Sequence, residues 1–311
     1  MKTSIIIVNH NTADVLKECV ESVFRFEDKE TFDIVIVDNA SKDNSKETIN
    51  ALCSSYNNVQ PLFLDELKSF SYANNRGIDI SKGEYVLIMN PDIIFEEPVL
   101  RKLTEYFAAH DNTGAISPAL IGTDGNFQRN YFQRYPTIKQ FIFFHSIVLR
   151  FFYKSQKMIN KYLLNDEVSV HDKKLYFVKQ IPCAFFLTTR AILKETGMMD
   201  ENFVLFFEDV DLSYRINMKH TLVVDTNLHV KHIGGSSFKD VEWWTYGRFL
   251  VSMLYFFRKH YSIMPYYTLR FLAVSNAYLI LLIERINSIF GRQSDFRIKK
   301  YTNFLNLLKN G

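Results

Sequence analysis

A chain of 311 residues with 47% apolar and 23% charged residues has enough apolar material for a sizeable core, which excludes an intrinsically disordered protein. A net charge of +3 gives no electrostatic case for nucleic acid as a partner. Cys19, Cys53 and Cys183 lie far apart with no CxxC, so neither a disulfide framework nor a zinc site is signalled, and a reducing cytoplasm is expected.

Ile5-Ile6-Ile7-Val8 reads as a strand buried on both faces, too short before Asn9-His10-Asn11 to be a signal peptide. Thr12 is placed to cap a helix in which Val15, Leu16, Cys19, Val20 and Val23 recur at helical spacing. A second buried strand, Ile34-Val35-Ile36-Val37, ends in Asp38-Asn39. Ser41, Asp43, Asn44 and Ser45 then form a turn and cap, and Lys46–Cys53 is helical. A weaker strand over Val59–Leu64, a helix through Tyr72–Ile80 and a buried strand Tyr85–Met89 follow, the last closing on Asn90-Pro91-Asp92. Val99–Ala109 is a helix, and residues 115–135 are strands and turns punctuated by Gly122 and Gly125. Phe141–Tyr153 is an aromatic helix, Val178–Thr188 a strand and Asp209–Met218 a helix. Gly234-Gly235-Ser236-Ser237 is a flexible loop, and from Glu242 the chain is helical and aromatic.

Strands alternating with helices predict an α/β fold with a mostly parallel sheet and right-handed crossovers. Ligands of such sheets bind beyond the carboxyl ends of the strands. Polar clusters stand at three of those ends: Asn9–Asn11, Asp38-Asn39 and Asn90–Asp92. There is no GxGxxG, no GxxxxGK[ST], no GxSxG and no HExxH, so a nucleotide would have to be held without a glycine loop. A carboxylate such as Asp38 accepts hydrogen bonds from a base or ribose. A diphosphate needs neutralising, typically by Mg²⁺ or Mn²⁺ on a carboxylate such as Asp92. Taken alone, Asn90-Pro91-Asp92 is an ordinary turn.

The second cluster is Phe206-Phe207-Glu208-Asp209-Val210-Asp211, three carboxylates beside two aromatic side chains. Group transfer to a hydroxyl with inversion needs one general base. Apolar neighbours raise the pKa of such a base, and a helix start lowers it. Helix capping also explains acidic residues here, and Asp211 is spaced for an i,i+4 pair with Arg215. His229 and His232, just before Gly234-Gly235, are either ordinary polar residues near a strand end or contacts to a metal or diphosphate.

The ordered set Ser4-Ile5-Ile6-Ile7-Val8-Asn9, Ile36-Val37-Asp38-Asn39-Ala40-Ser41, Asn74-Asn75-Arg76-Gly77, Asn90-Pro91-Asp92 and Phe207-Glu208-Asp209-Val210-Asp211-Leu212 resembles family-2 glycosyltransferases. More narrowly it resembles bacterial rhamnosyltransferases of O-antigen, capsule and cell-wall polysaccharide synthesis. The resemblance implies a GT-A, Rossmann-like, mostly parallel sheet flanked by helices. It implies a nucleotide-sugar-binding half over 1–115, an acceptor-binding and catalytic half over 116–241, and an aromatic-rich helical extension over 242–311. Asp38 is then expected at the nucleotide base, with Asn9, Asn75 and Asn90 near the nucleotide sugar. Asp92 is expected on a divalent cation and the diphosphate, with His232 as a further metal contact. Asp209 is expected as catalytic base, with Glu208 and Asp211 in support. Cys183-Ala184-Phe185-Phe186, with Gly197 and Asp200, resembles the family's acceptor-side segment. Two departures stand out: the metal motif has one carboxylate instead of two, and Ser69-Phe70-Ser71 stands where relatives often have Gly-Phe-Gly.

The implied reaction is a single displacement carrying L-rhamnose from dTDP-L-rhamnose to a hydroxyl of a lipid-linked oligosaccharide. A UDP-hexose transferase and a catalytically idle scaffold are the alternatives. Without QxxRW or multiple spans, a processive synthase is disfavoured. Past residue 242, Trp243-Trp244 and Phe249–Phe257 precede Arg258-Lys259-His260-Tyr261. The longest charge-free run, Phe271–Ile283, falls short of the roughly 18 residues a span needs. Amphipathic helices lying on the inner face of the cytoplasmic membrane are expected, with Arg292, Arg297, Lys299 and Lys300 toward headgroups. A helical cap or a dimer interface is the plainer reading.

Overall fold

The computed structural model of the chain describes residues 2–128, 134–146, 174–234 and 243–310. Two compact units are present. One comprises Met1–Arg134, Asn165–Asn202 and Glu208–Lys239, the other Tyr135–Leu164, Phe203–Phe207 and Asp240–Gly311.

The first unit is built on a nine-stranded sheet. In chain order its elements are β1 (Thr3–Asn9), α1 (Ala13–Phe26), β2 (Phe32–Asn39), α2 (Ser45–Ser55), β3 (Val59–Leu64), α3 (Phe70–Ile80), β4 (Tyr85–Met89), β5 (Ile93–Phe95), α4 (Leu100–Ala109) and β6 (Thr113–Ile121). After α5, described below, come β7 (Leu175–Val178), β8 (Phe185–Thr189), α6 (Arg190–Thr196), α7 (Glu208–Asn217) and β9 (Thr221–His232). The spatial order is β3-β2-β1-β4-β8-β6-β9-β5, with β7 paired to β9. The strands β1 to β4 pair in parallel, as their alternation with helices requires. Beyond β4 the sheet becomes mixed: β8 runs antiparallel to β4 and β6, and β5 and β7 run antiparallel to β9. The boundary expected at 115/116 falls inside β6, because the second half extends the same sheet.

Several local expectations are corrected. The predicted strand Val178–Thr188 is two strands, β7 and β8. Pro182 interrupts it, its carbonyl accepting the Phe185 N–H across a turn. Thr12 occupies the N-cap of α1 but makes no capping bond; its hydroxyl donates to Asn9 Oδ1 at 2.7 Å, and Asp43 Oδ2 receives the Ala13 N–H instead. Within β6·β9 the register slips between Pro118 and Ala119: Pro118 faces Asp225, and Ala119 faces His229. Proline has no N–H for the ladder, so a bulge at that point is its natural place. Of the helix expected over Phe141–Tyr153 only the first part falls among the described residues, and most of the Gly234–Ser237 loop lies outside them.

All seven residues of β1 are buried, with α3 packed across β1 and β2. Gly77 sets that approach. A Cβ there would stand 2.6 Å from Ile6 Cγ2 and 2.9 Å from Val37 Cγ2. The far end of α3 is closed by Arg190, whose guanidinium donates to the carbonyls of Ile78, Ser81 and Gly83 and to Ser81 Oγ. The guanidinium thereby ties the end of α3 to the turn that follows it.

The second unit holds α5 (Ile138–His145), α8 (Trp243–His260), α9 (Ile263–Ile289) and α10 (Asp295–Asn310). A capping box of Thr137 and Gln140 starts α5. Ser252 on α8 donates to the Leu205 carbonyl, and Asn276 on α9 to that of His145. Burial pushes the His145 imidazole down to about 4, helped by Lys300. Several aromatic residues form the core here: Phe141, Phe203, Phe256, Phe257 and Phe304 are fully buried.

Substituting Gly77→Ala is expected to cost about 1–3 kcal/mol through overpacking of α3 on β1 and β2, measured by urea unfolding of the two proteins side by side.

Candidate functional site

The site is built at the carboxyl edge of β1, β2 and β4. Parallel pairing puts Asn9 directly opposite Asp38. Asn9 is fully buried; its Nδ2 donates to Asp38 Oδ1 at 2.9 Å and to Ser41 Oγ at 3.1 Å. The Ser41 N–H donates to Asp38 Oδ2 at 3.2 Å. Asn11 and Ala40 have φ of 54° and 56°, and Asn11 bonds across the edge to Ser41 and Lys42. Asn9 is thus wholly engaged inside the fold and orients Asp38. Asn39 clamps the next loop, exchanging both amide bonds with the backbone of Lys68 at 2.9 and 3.0 Å. Asn75 acts similarly: its amide bonds the N–H and carbonyl of Met199 and the Glu201 carboxylate. It therefore pins the 199–201 segment to α3 and has little left to offer a nucleotide directly.

Asp92 leaves the sheet after β4. Pairing of β5 with β9 sets Ile93 opposite His232, and the Ile233 N–H donates to the Asp92 carbonyl. Asp92 Oδ2 accepts the Gly234 N–H at 3.1 Å, and Asp92 Oδ1 stands 3.5 Å from His232 Nε2. Both side chains are almost wholly buried. Gln128, which the sequence reading missed, controls the imidazole. Its amide nitrogen donates to the His232 carbonyl at 3.0 Å, which turns its Oε1 to His232 Nδ1 at 2.6 Å. An amide oxygen there requires the proton on Nδ1. His232 Nε2 is thereby turned toward the Asp92 carboxylate. Among the described residues no three His, Cys, Asp or Glu side chains converge as a complete metal cage. One carboxylate and one imidazole nevertheless fit a divalent cation that takes its other ligands from a diphosphate and water. His229 stands apart, paired with Glu97 at 2.7 Å.

The second centre starts α7. Phe206 and Phe207 have φ of 65° and 69°, a costly conformation for bulky residues, and lead directly into Glu208. Asp209 Oδ1 accepts the Val210 N–H at 2.8 Å. Burial pushes the Glu208 carboxyl up to about 8, and the neighbouring Asp209 charge adds to the shift. Burial also pushes Asp209 up, to about 6, against the pull of the Val210 and Cys183 N–H groups. The Val210 and Cys183 N–H groups favour charge on Asp209, while Glu208 Oε2 has no hydrogen-bond partner. The result is a pair of carboxyl groups that hold a proton more firmly than usual, with Asp209 the better placed of the two to act as a base. Asp211 does something else: fully buried, its Oδ2 takes Nε and Nη2 of Arg215 at 2.8 and 2.6 Å, the expected i,i+4 pair. The two centres flank one turn. The Asn90 N–H donates to the Ala184 carbonyl at 3.1 Å, and the N–H of Cys183, one residue earlier, supports Asp209.

A Glycosyl transferase family 2 model matches residues 4–176, more than half of the chain. The chain belongs to glycosyl transferase family 2. It is 30% identical over 131 residues to the glycosyltransferase GlyG of Streptococcus pneumoniae serotype 4, a match covering 40% of this chain and 42% of that protein. It is 36% identical over 104 residues to a poly(ribitol-phosphate) beta-glucosyltransferase of Bacillus spizizenii, covering 32% of this chain and 16% of that protein. The matches thus span less than half the length of these curated relatives. Among solved structures, S. aureus TarS 1-349 aligns over 98% of this chain and 89% of its own, with a TM-score of 0.54 and 14% identity. GalNAc-T7 with UDP, GalNAc and Mn2+ aligns over 75% of this chain and 43% of its own, with a TM-score of 0.56 and 17% identity. At such identities these are likenesses of fold: a central α/β sheet flanked by helices, of GT-A type, here with an aromatic-rich helical C-terminal region.

Raised carboxyl pKa values favour the neutral forms in the folded state, so their contribution to stability is full below the ordinary carboxylate range and is lost as pH rises through about 6 and 8. Glu208→Gln is therefore expected to leave the Tm unchanged near pH 4 and to raise it above about pH 8, read by calorimetry across that range.

Proposed function

We propose that the chain is an inverting glycosyltransferase that moves a sugar from a nucleotide diphosphate to a hydroxyl of a growing surface glycan. The observation that carries this reading is the pairing of two unlike centres on one sheet edge: Asp92 with His232, suited to a cation, and Asp209, a carboxylate base with a raised pKa. Asp38, held by Asn9 and Ser41, is the residue for the nucleotide base. Asp92 and His232 would hold the divalent cation, Mg²⁺ or Mn²⁺, which when bound neutralises charge on the departing diphosphate. Asp209 removes the acceptor hydroxyl proton as the oxygen forms its bond to the anomeric carbon. The bond from that carbon to the nucleoside diphosphate breaks on the opposite face, so the configuration inverts. Asn90, half-buried on the turn between the centres, is a further contact for the nucleotide sugar.

For the donor we favour dTDP-L-rhamnose and for the acceptor a lipid-linked oligosaccharide; the support is the ordered set of sequence motifs. With dTDP-β-L-rhamnose the product is an α-linked rhamnoside. The likeness to a beta-glucosyltransferase supports a UDP-hexose as the second donor reading.

Thermal-shift titration with dTDP, UDP and GDP, each with and without Mn²⁺, tests the reading, since a ligand of the folded state stabilises by mass action. A metal-dependent shift selective for dTDP, lost in Asp92→Ala, is the expected result. A UDP-selective shift moves the donor to a hexose. No shift with any nucleotide, together with no sugar transfer to membrane-derived acceptors, leaves the idle scaffold in its place. Asp209→Asn is expected to lower kcat by about 10²–10⁴-fold while the nucleotide-induced shift survives. Gln128→Leu releases the His232 ring and is expected to weaken Mn²⁺ binding in the presence of nucleotide by about 10–100-fold, measured by titration calorimetry.

A further inference from the structure

The helix α9 has two unlike faces. Leu269, Ala273, Asn276, Ala277, Ile280 and Glu284 are buried within the helical unit. Met264, Phe271, Tyr278, Leu282, Ile286 and Ile289 are exposed, Phe271 by 70% and Ile289 by 77%. Their spacing of three, four or seven residues puts them in an arc of roughly 80°, at about 100° per residue. Only the small hydroxyl residues Thr268 and Ser275 share that arc. An apolar stripe this long, on a helix whose opposite face is packed within the unit, is a contact surface.

Charge says what it contacts. Residues 243–311 contain ten Lys and Arg against two acidic residues, Glu284 and Asp295, whereas the whole chain carries only +3. Of those two acids, Glu284 is internally neutralised: its carboxylate takes the Ser294 N–H at 2.7 Å and Arg297 Nη1 at 2.9 Å. Arg285 borders the stripe, and exposed Arg292 and Lys299 lie just past its end, beside exposed Phe290 and Phe296.

We propose that this face of α9 docks the protein on an anionic lipid bilayer, the helix lying in the membrane plane with its stripe among the acyl chains and the flanking arginines and lysines at lipid phosphates. With 27 residues and a mean hydropathy of 1.4 over its most apolar stretch, the same helix is also long and apolar enough to cross a membrane. The packing of its other face decides against that. Leu269, Ala273, Asn276, Ala277 and Ile280 are buried within the helical unit, Asn276 through its bond to the His145 carbonyl, so a spanning α9 would have to carry α5, α8 and α10 into the bilayer with it. The surface is independent of the transfer chemistry, so its failure and that of the proposed function are separable.

The test is co-sedimentation of the full chain with phosphatidylcholine vesicles containing or lacking phosphatidylglycerol, at low and high salt. Binding to the anionic vesicles, weakened by salt and released by alkaline carbonate, is expected. The exposed-site variant Phe271→Ser/Leu282→Ser/Ile289→Ser is expected to reduce binding about tenfold or more with an unchanged circular dichroism spectrum. Should that variant fail to fold, Arg292→Glu/Lys299→Glu is expected to give a similar loss, while the nucleotide-induced thermal shift stays as in the wild type. Undiminished binding by a folded variant, or no binding by the wild type, overturns the proposal. So does resistance to carbonate, which would indicate a span. A wild-type dimer that the serine variant dissociates, with no vesicle binding by either, would make the face a subunit interface.

Discussion

The in-register parallel pairing of β1 with β2 and β4 is the constraint on which the rest of the first unit depends. It sets Asn9 opposite Asp38 and Ile7 opposite Met89, so the polar ends of three strands emerge on one edge. Strands buried on both faces leave no place for those polar groups except the ends, and a one-residue slip would turn every side chain over. The buried amide of Asn9 closes the arrangement by bonding Asp38, Ser41 and Thr12 together. Gly77 permits the close approach of α3 that covers these strands, and Arg190 satisfies the carbonyls at its far end.

The same edge holds two carboxyl centres in opposite electrostatic regimes. Asp92 is surrounded by groups that receive or supply positive charge: a backbone N–H and an imidazole whose tautomer Gln128 sets. Glu208 and Asp209 sit where burial disfavours charge, and the N–H groups of Val210 and Cys183 go to Asp209. A displacement at carbon asks for that division, with positive charge at the leaving group and a proton acceptor at the nucleophile. The third acidic residue, Asp211, is tied to Arg215 and belongs to the packing of α7.

The helical unit follows a different logic. Its core is aromatic, and the buried acidic side chain of Glu284 joins α9 to α10 through Ser294 and Arg297. That junction allows a long apolar helix to be packed on one face and open on the other. In the sequence, Arg270 ends the uninterrupted apolar run. The helix itself continues through Arg270, whose guanidinium finds the hydroxyl of Tyr266 one turn away.

Apolar runs such as Ile5–Val8 and Ile34–Val37 dictate the parallel core, because a doubly covered sheet is their stable home. The sequence also determined which polar residues stand at the strand ends, since those runs stop at Asn9, Asp38 and Asn90. The i,i+4 pair of Asp211 and Arg215 was legible for the same reason, being local. The meeting of Asp92 with His232, 140 positions away, is settled by folding alone. The register of β5 against β9 brings them together, and the slip at Pro118 shifts the second half of β9 by three residues, an odd number that exchanges its faces. Tertiary structure alone brought in Gln128, whose role follows from a contact across 104 positions and leaves no mark in local spacing. It also separated Asp209 from its neighbours in function, because the pKa of a carboxyl is set by the donors and the dielectric around it, and those come from parts of the chain that sequence adjacency does not reveal.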